Sequence, residues 1–558
     1  MSLSTTYTKV ETDFLIQQLE EKASDKYNDE SNSIANDIIK FIDINTGENV
    51  NYRETTTWYD GTAMNDSKVD DVIYIKKNNK YYKRQLEGFV NVKWAGCGNG
   101  QDDTQVINSL IQNFDILYFP KGDYLIKNAG LNLRSNVEIF GDGVHSRLIT
   151  DDSTIWGVSI NSGNKGTSNV EENTKNIKIH DLHFFSSFQQ FNEHTHLLNI
   201  NAATNVQIDR CFFTGFRGDG IYIGSSNTAG TERHNKDIYI RNCVFDGINN
   251  ENRNGISIID GTNIYIEKNI FKNCTKSNMP GGVDIEPDTF SFHVIKNIHV
   301  KDNYFENVGG NDGVVALVSN SNLTELSKDI FISGNMFKNC KNANSIYIRS
   351  GNSYKDANIL IEKNYVENCV GSGMLIFSSG CVVRNNHFNG TNREFYLSYI
   401  DNPSINNVLF YENYFENFAL ENSSGGIVIF NAKNITFKNN RFHNATKRVN
   451  GQDYIFYLHK GTTENIVFKN NSFTKDSGTN GYLVVLNPNA VTNENTNIWE
   501  NNYSDVIRPN YFKYLRNKGT TAERNTAPPI GHNYYDTDLK KSIYWNGTNW
   551  TDANGNNI

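Results

Sequence analysis

A short phrase returns along this chain at intervals that a single globular core does not explain. Asparagine followed two positions later by phenylalanine occurs in EKNIF (267–271), KDNYF (301–305), SGNMF (333–337), RNNHF (384–388), YENYF (411–415), KNNRF (438–442) and KNNSF (469–473). Set in one frame, these give the column Asn269, Asn303, Asn335, Asn364, Asn386, Asn413, Asn440, Asn471 and Asn502. Cys211 and Cys243 continue it upstream, with 22 to 34 residues between members. Before each phrase lies an alternating segment such as NIYIE (263–267), NIHVK (297–301) or NITFK (434–438). After it lies a second kind, such as GDGIYI, NGISII, GGVDIE, NSIYIR or SGMLIF. Period-2 alternation makes both kinds β-strands.

A unit of two or three short strands cannot bury its own apolar face, so it must stack on copies of itself. The result is an all-β parallel solenoid, with roughly 13 coils of about 28 residues and strands about 4.8 Å apart. Asparagines in one column then meet as an amide ladder and phenylalanines as an interior stack. Cys274, Cys340 and Cys369, in FKNC, FKNC and VENC, form a further column, which favours packing thiols over reactive ones. A leucine-rich repeat would need recurrent leucines and a helical segment per repeat, and neither pattern is present. The segment DDTQVINSLIQNF (102–114) sets Val106, Ile107, Leu110, Ile111 and Phe114 on one helical face, with Asp102, Asp103 and Thr104 at its start. It reads as a helix capping the first coil's open edge.

Composition narrows the function classes. Asparagine supplies 86 of 558 residues and proline only 8. The formal charge of -9 argues against a surface that coats polyanions, so no nucleic-acid partner is expected. No run of about 18 apolar residues exists to insert in a membrane, and the opening MSLSTTYTKVETDF lacks a signal-peptide pattern. The seven cysteines are scattered without a C-x-x-C pair, which disfavours a disulfide framework or a zinc site. Neither a metal nor a cofactor is implied.

The segments VKWAGCGNGQDDTQVINSLI, ILYFPKGDYLI (116–126) and VEIFGDGVHSRL (137–148) together resemble the opening of the pectate lyase superfamily's right-handed parallel β-helix, as found in phage tailspikes and polysaccharide depolymerases. Cys97-Gly98-Asn99-Gly100 departs from the usual Gly-Asp-Gly. The resemblance implies a β-helix over 88–515, an attachment-like region over 1–87 and a small hairpin module over 516–558. In the first, a short amphipathic stretch surrounds Phe14 to Leu19, and DDVIYIKKNNKYYKR (70–84) reads as strands. An ordinary small domain fits residues 1–87 equally well. In the last, Trp545 and Trp550 suit hairpin packing better than sugar binding.

Chemistry is sought on the strands of the GGVDIE kind, where alternation sends Ile or Val inward and the intervening residues outward. Coil by coil the outward pairs are Tyr222 and Gly224, Ser257 and Ile259, Asp284 and Glu286, Val315 and Leu317, Tyr347 and Arg349, Leu375 and Phe377, and Val428 and Phe430. Asp284 and Glu286 point the same way at about 6.5–7 Å between Cα atoms. Their repulsion would raise one carboxyl, and such a spacing suits an inverting glycosidase. A lone Asp-x-Glu is more often a solvated face. Here Gly281-Gly282 and the aromatic columns favour catalysis. Asp260 and Asp288 would complete a group of acids, or serve only as turn residues. Tyr222, Tyr347 and Phe377 offer flat rings to a sugar, Ser257 lines the same face, and Arg349 would grip an acidic sugar. Loops 186–196, 225–236 and 273–282 would wall a groove, and their Glu193, His194, His196, Glu232, Arg233 and His234 are secondary candidates. The histidines among them are expected in solvent.

The resemblance and these residues together imply a tailspike-like depolymerase, of virion tail or extracellular location, that binds a bacterial surface polysaccharide and hydrolyses it internally. It further implies a homotrimer joined to a phage tail or baseplate through the amino-terminal region. A lyase using Arg349 with Tyr222, Tyr347 or His293 is the alternative enzyme, and a glycan-binding spike without catalysis is the alternative class.

Overall fold

The computed structural model describes residues 38–558 except 155, 163–171, 189, 226–229, 231, 249–250, 289, 342–343, 394, 399–403, 419, 421–425, 446–452, 459–460, 477–480, 487–489, 493–495, 505–512, 516, 527 and 529. The stretch from Phe14 to Leu19 lies outside these. The chain divides into two compact units, 1–87 and 88–558.

In the first unit Ile38–Ile42, Asn49–Glu54, Lys80–Arg84 and Tyr74–Lys77 form an antiparallel sheet in that order. Asn78 and Asn79 turn the last hairpin with positive φ of 50° and 62°, a conformation that asparagine tolerates. Arg84, 1% exposed, is held by Asp43 at 2.6 Å.

The second unit is a right-handed parallel β-helix with three parallel sheets along its sides. The first sheet stacks thirteen strands, from Leu131–Asn132 to Gly481–Leu486, and carries the Gly-Ile-x-Ile segments. The second holds the NIYIE-type strands. The third stacks fourteen strands, from Gly122–Ile126 to Tyr503–Ser504, and carries the Asn-x-Phe phrases.

The asparagine column is a continuous ladder. Asn303 donates its backbone N–H and Nδ2 to Asn335 Oδ1, each at 3.0 Å, and donates Nδ2 back to the Ile266 carbonyl at 2.9 Å. The same pattern runs from Asn269 through Asn335, Asn364, Asn386, Asn413 and Asn440 to Asn471. Each amide therefore ties three coils together and satisfies buried backbone groups that would otherwise be costly. Behind it Phe184, Phe213, Phe245, Phe271, Phe305 and Phe337 stack at 4.7–4.9 Å between neighbouring centroids. All seven cysteines are free and buried.

The abundance of asparagine has a second cause. Asn263, Asn297, Asn358, Asn407, Asn434 and Asn465 open successive strands of the second sheet with positive φ, and Asn273, Asn307, Asn339, Asn368, Asn417 and Asn444 repeat this at another corner. Side chains with a Cβ enter this region at a cost that asparagine best avoids after glycine.

The helix Thr104–Asn113 stands at the amino-terminal end of the solenoid, burying Ile107, Leu110 and Ile111. Val106, expected on that face, is 40% exposed. Asp103 accepts from the Gly98 and Leu125 amides and so braces the helix to the first coil. At the carboxy-terminal end, Trp550 packs with Tyr534, Ile543 and Trp545 in a small hairpin core.

Candidate active site

The strands of the first sheet place side chains from successive coils in register, so the outward columns can be read directly. One runs Asn199, Tyr222, Ser257, Asp284, Ala316, Tyr347, Leu375 and Tyr396. Val315 and Leu317, expected outward, pair instead with the inward Val283 and Ile285 and are wholly buried. Ala316 and Val318 take their place.

Asp284 sits on Val283–Ile285 and is 3% exposed, although its column faces away from the solenoid core. Residues outside the barrel of strands enclose it. Asn254 donates Nδ2 to Asp284 Oδ2 at 3.0 Å and to Ser257 Oγ at 3.1 Å, while its Oδ1 accepts from the Gly281 amide at 2.8 Å. The coils approach closely here: a Cβ on Gly282 would lie 2.2 Å from the Val314 carbonyl oxygen, so only glycine fits.

The structure attaches to Asp284 a set of groups that sequence reasoning missed. Asp219, wholly buried, accepts from the Asn254 amide at 3.0 Å and pairs with Arg253 at 3.0 Å. His196 Nδ1 lies 3.2 Å from its carboxylate. Tyr222 stacks on the His196 ring at 4.5 Å and 8°. His196 is thus a buried member of the site, 4% exposed, where an exposed loop histidine was expected. His194 is exposed. The missed groups have a signal in retrospect. Asp219 and Asn254 occupy the position two residues before the first Ile in GDGIYI and RNGISI, a column of its own.

These surroundings push the acids apart. Burial, then the charge of Glu286, hold the Asp284 carboxyl well above the usual carboxylate range, with Arg253 opposing and Asp219 and Asp312 adding to the rise. Burial presses Asp219 upward too, but Arg253, His196 and the Asn254 amide outweigh it and leave Asp219 below its ordinary value. Glu286 follows the strand and opens to solvent. Crowding at the groove mouth raises it against Arg253, with help from Asp312, Asp288 and Glu193, and water screens these charges. Burial raises the Tyr222 hydroxyl to about 12. Asp284 and Glu286 are thus both raised and Asp219 is lowered, and carboxyls whose surroundings differ in this way are what acid-base chemistry on a glycosidic bond draws on.

The remaining candidates divide. Asp288 is exposed and near enough to raise Glu286. Asp260 stands apart: wholly buried, it accepts from the Val294 amide at 2.7 Å and meets His234 Nδ1 at 2.8 Å. His293, 1% exposed, contacts Ser225 Oγ at 2.7 Å, and burial lowers it. Ser257, 1% exposed, lies under Asn254. Tyr347 and Phe377 meet edge to face at 5.8 Å, and Arg349 is exposed beside them. Two of the wall loops, 186–196 and 273–282, are tied at Glu251, which accepts from the Phe191 amide at 3.2 Å and pairs with Lys276 at 3.4 Å. Among the described residues no group of three His, Cys, Asp or Glu side chains converges to hold a metal ion, and no helix is long and apolar enough to cross a membrane.

Two family models match the chain on either side of Asp284 and Glu286. Residues 89–279 match the family described as rhamnogalacturonase A/epimerase, pectate lyase-like. Residues 292–473 match the right-handed β-helix region family. No curated protein sequence matches. Similar solved structures include tailspike protein 3 of bacteriophage CBA120, at 16% identity and a TM-score of 0.40, covering 87% of this chain and 72% of that one. Tailspike gp49 of Acinetobacter baumannii bacteriophage Fri1, a capsular polysaccharide depolymerase, gives 14% and 0.45 over 72% and 70%. PfbA, a surface adhesin of Streptococcus pneumoniae, gives 16% and 0.46 over 70% and 93%.

Proposed function

We propose that this pectate-lyase-like β-helix binds a bacterial surface polysaccharide along its first sheet and cuts it internally by hydrolysis. The observation that carries the reading is Asp284: a carboxyl enclosed on the outer face of the solenoid, fixed by Asn254, with a solvent-facing carboxyl, Glu286, two residues on. Asp284 donates its proton to the glycosidic oxygen as the bond to the anomeric carbon breaks. Glu286 takes a proton from the water that attacks the opposite face. Inversion needs about 6.5–9.5 Å between the two carboxyl groups to seat that water, and alternate residues of one strand start about 6.5–7 Å apart at Cα. Asp219 holds Arg253 and Asn254 in place without touching the sugar.

The electrostatics favour hydrolase over lyase. Asp219, Asp284 and Glu193 act on Arg253, while Asp312, Asp288 and Glu193 act on Glu286, and this acidic setting repels a uronate at the cleavage point. The test is reducing-end release from a panel of capsular and O-antigen polysaccharides. Asp284→Asn and Glu286→Gln should each lose at least about 100-fold in rate while still binding. Products absorbing in the ultraviolet as unsaturated sugars would turn the assignment to a lyase, and bound glycans left uncut by the parent would make the chain an adhesin.

The same reading makes the chain the glycan-recognising part of a phage tail or of an extracellular counterpart, trimeric and attached through residues 1–87. Sedimentation of the full chain tests the stoichiometry.

A further inference from the structure

The outward columns change character at the acids. On the amino-terminal side they carry Ser159 and Asn199 in one column and Asn201 in the next. Ser159 Oγ, Asn199 Nδ2 and Asn201 Oδ1 are buried and have no hydrogen-bond partner among the described residues, and Ser159 and Asn199 are each 2% exposed. Buried polar atoms left unpaired are rare in folded proteins, because the hydrogen bonds to water have been given up without replacement. Their donors and acceptors suit the hydroxyls of a sugar.

On the carboxy-terminal side the same columns carry Ala316, Val318, Tyr347, Leu375, Phe377 and Tyr396, with the exposed Arg349 standing between Val318 and Phe377. The first six side chains form an apolar cluster outside the solenoid core, in which Val318, Leu375 and Tyr396 keep part of their surface open. An apolar patch continuous with a groove of charged and hydrogen-bonding groups needs a ligand that changes polarity along its length. A pyranose ring is comparable in length to the coil spacing of about 4.8 Å, so a chain laid along the axis presents successive sugars to successive coils.

We infer that the groove binds a heteroglycan in one direction only, with a hydroxyl-rich sugar over Ser159 and Asn199 and a 6-deoxyhexose over Val318, Leu375 and Tyr396. The inference rests on the reading of this face as a glycan site. A ring methyl asks for no donor and rests on the hydrocarbon of Val318, Leu375 and Tyr396, while the exposed Arg349 in the column of Val318 is left to meet an oxygen of the neighbouring sugar. One direction of binding means that a single linkage in each repeat crosses Asp284, so products carry a uniform end sugar.

The test is calorimetric titration of the full-length Asp284→Asn chain with two hetero-oligosaccharides that differ only in a 6-methyl or a 6-hydroxymethyl group. The deoxy form should bind about five- to tenfold tighter, because the hydroxymethyl form would bury a hydroxyl on hydrocarbon without a hydrogen-bond partner. Leu375→Ala and Tyr396→Ala, made separately in the same background, should reduce that preference, and Asn199→Ala should weaken both ligands alike. Equal affinities, no binding of either sugar, or a preference untouched by both platform substitutions would overturn the inference. Product analysis with the parent chain separates it from the hydrolase reading. A preference without cleavage removes the hydrolase and keeps the orientation. Cleavage by Asp284 with mixed end sugars keeps the hydrolase and removes the orientation.

Discussion

Replacing Asp219 by Asn removes the charge of the buried network while keeping its shape. The Asn254 amide retains an acceptor, but Arg253 and His196 lose their negative partner. Removing one member of a buried ion pair costs about 3–5 kcal/mol when the other charge is left stranded. Arg253 is not fully stranded, because Asp284 and Glu193 also act on it, so the expected loss lies just below that range, at about 2–3 kcal/mol. A second effect has a definite sign. Asp219 raises the Asp284 carboxyl and Arg253 lowers it, so the substitution removes the first influence and frees the second. Asp284 should therefore titrate lower, and each unit of fall means a factor of about ten in its protonated fraction at alkaline pH. Because native Asp284 is raised, its contribution to stability is lost as pH climbs from about 3.9 through the native value. Because native Asp219 is lowered, its contribution is present above about 3.9 and lost as pH falls through the native value. In the variant the first decline should end at lower pH and the second should vanish. Carbon-13 NMR titration of the carboxyls, assigned with Asp284→Asn, and urea unfolding across pH measure both. An Asp284 titration that stays put or moves upward, or unchanged stability at neutral and acid pH, would refute the reasoning.

Three further outcomes follow from the fold and the flanking groups. Asn335→Ala removes hydrogen bonds to Asn303, Val300 and Asn364, and at about 1 kcal/mol each should cost roughly 4 kcal/mol in urea unfolding. Asn335→Cys, which copies Cys211 and Cys243 in the same column, should cost less. Gly282→Ala drives a Cβ against the Val314 carbonyl and should lower stability by about 1–3 kcal/mol, with a matching fall in thermal midpoint. His234 is raised by its hydrogen bond to Asp260, so its stabilisation is present below about pH 6.5 and lost as pH rises through the native value. Asp260→Asn should flatten that part of the stability profile.

The solenoid was legible because its constraints recur. An amide that ties three coils, a ring that stacks on the next ring and a thiol that fills a small gap must reappear once per turn, and the eye can align them. The columns of Asn303 and Phe305 were therefore readable from residues alone. Register failed at DGVVALV, where Val314, Val315, Ala316, Leu317 and Val318 are all apolar and no polar residue marks the outer face. The acids at 284 and 286 were found through alternation, but Asp219 and Arg253 were not, and His196, a secondary candidate, was expected in solvent and is buried. They lie just before the strands, at corners where period-2 counting stops, and their partners come from loops on other coils. Asp260 shows the reverse error: near in sequence to the outward face, it turns aside to hold His234 and the Val294 amide.

The amide ladder also governs how such a molecule can grow. Every rung offers the next the same oxygen and takes the same hydrogens, so a whole turn can be copied or deleted and the joint above still closes on the joint below. Extra chain shorter than a turn has no such place and must bulge outward as a loop. The walls holding Phe191, Glu251 and Lys276 are such bulges, gathered on one flank of the acids. Lineages of this architecture are thus free to lengthen the shaft by duplication and to reshape the cleft by insertion, two changes that leave one another undisturbed.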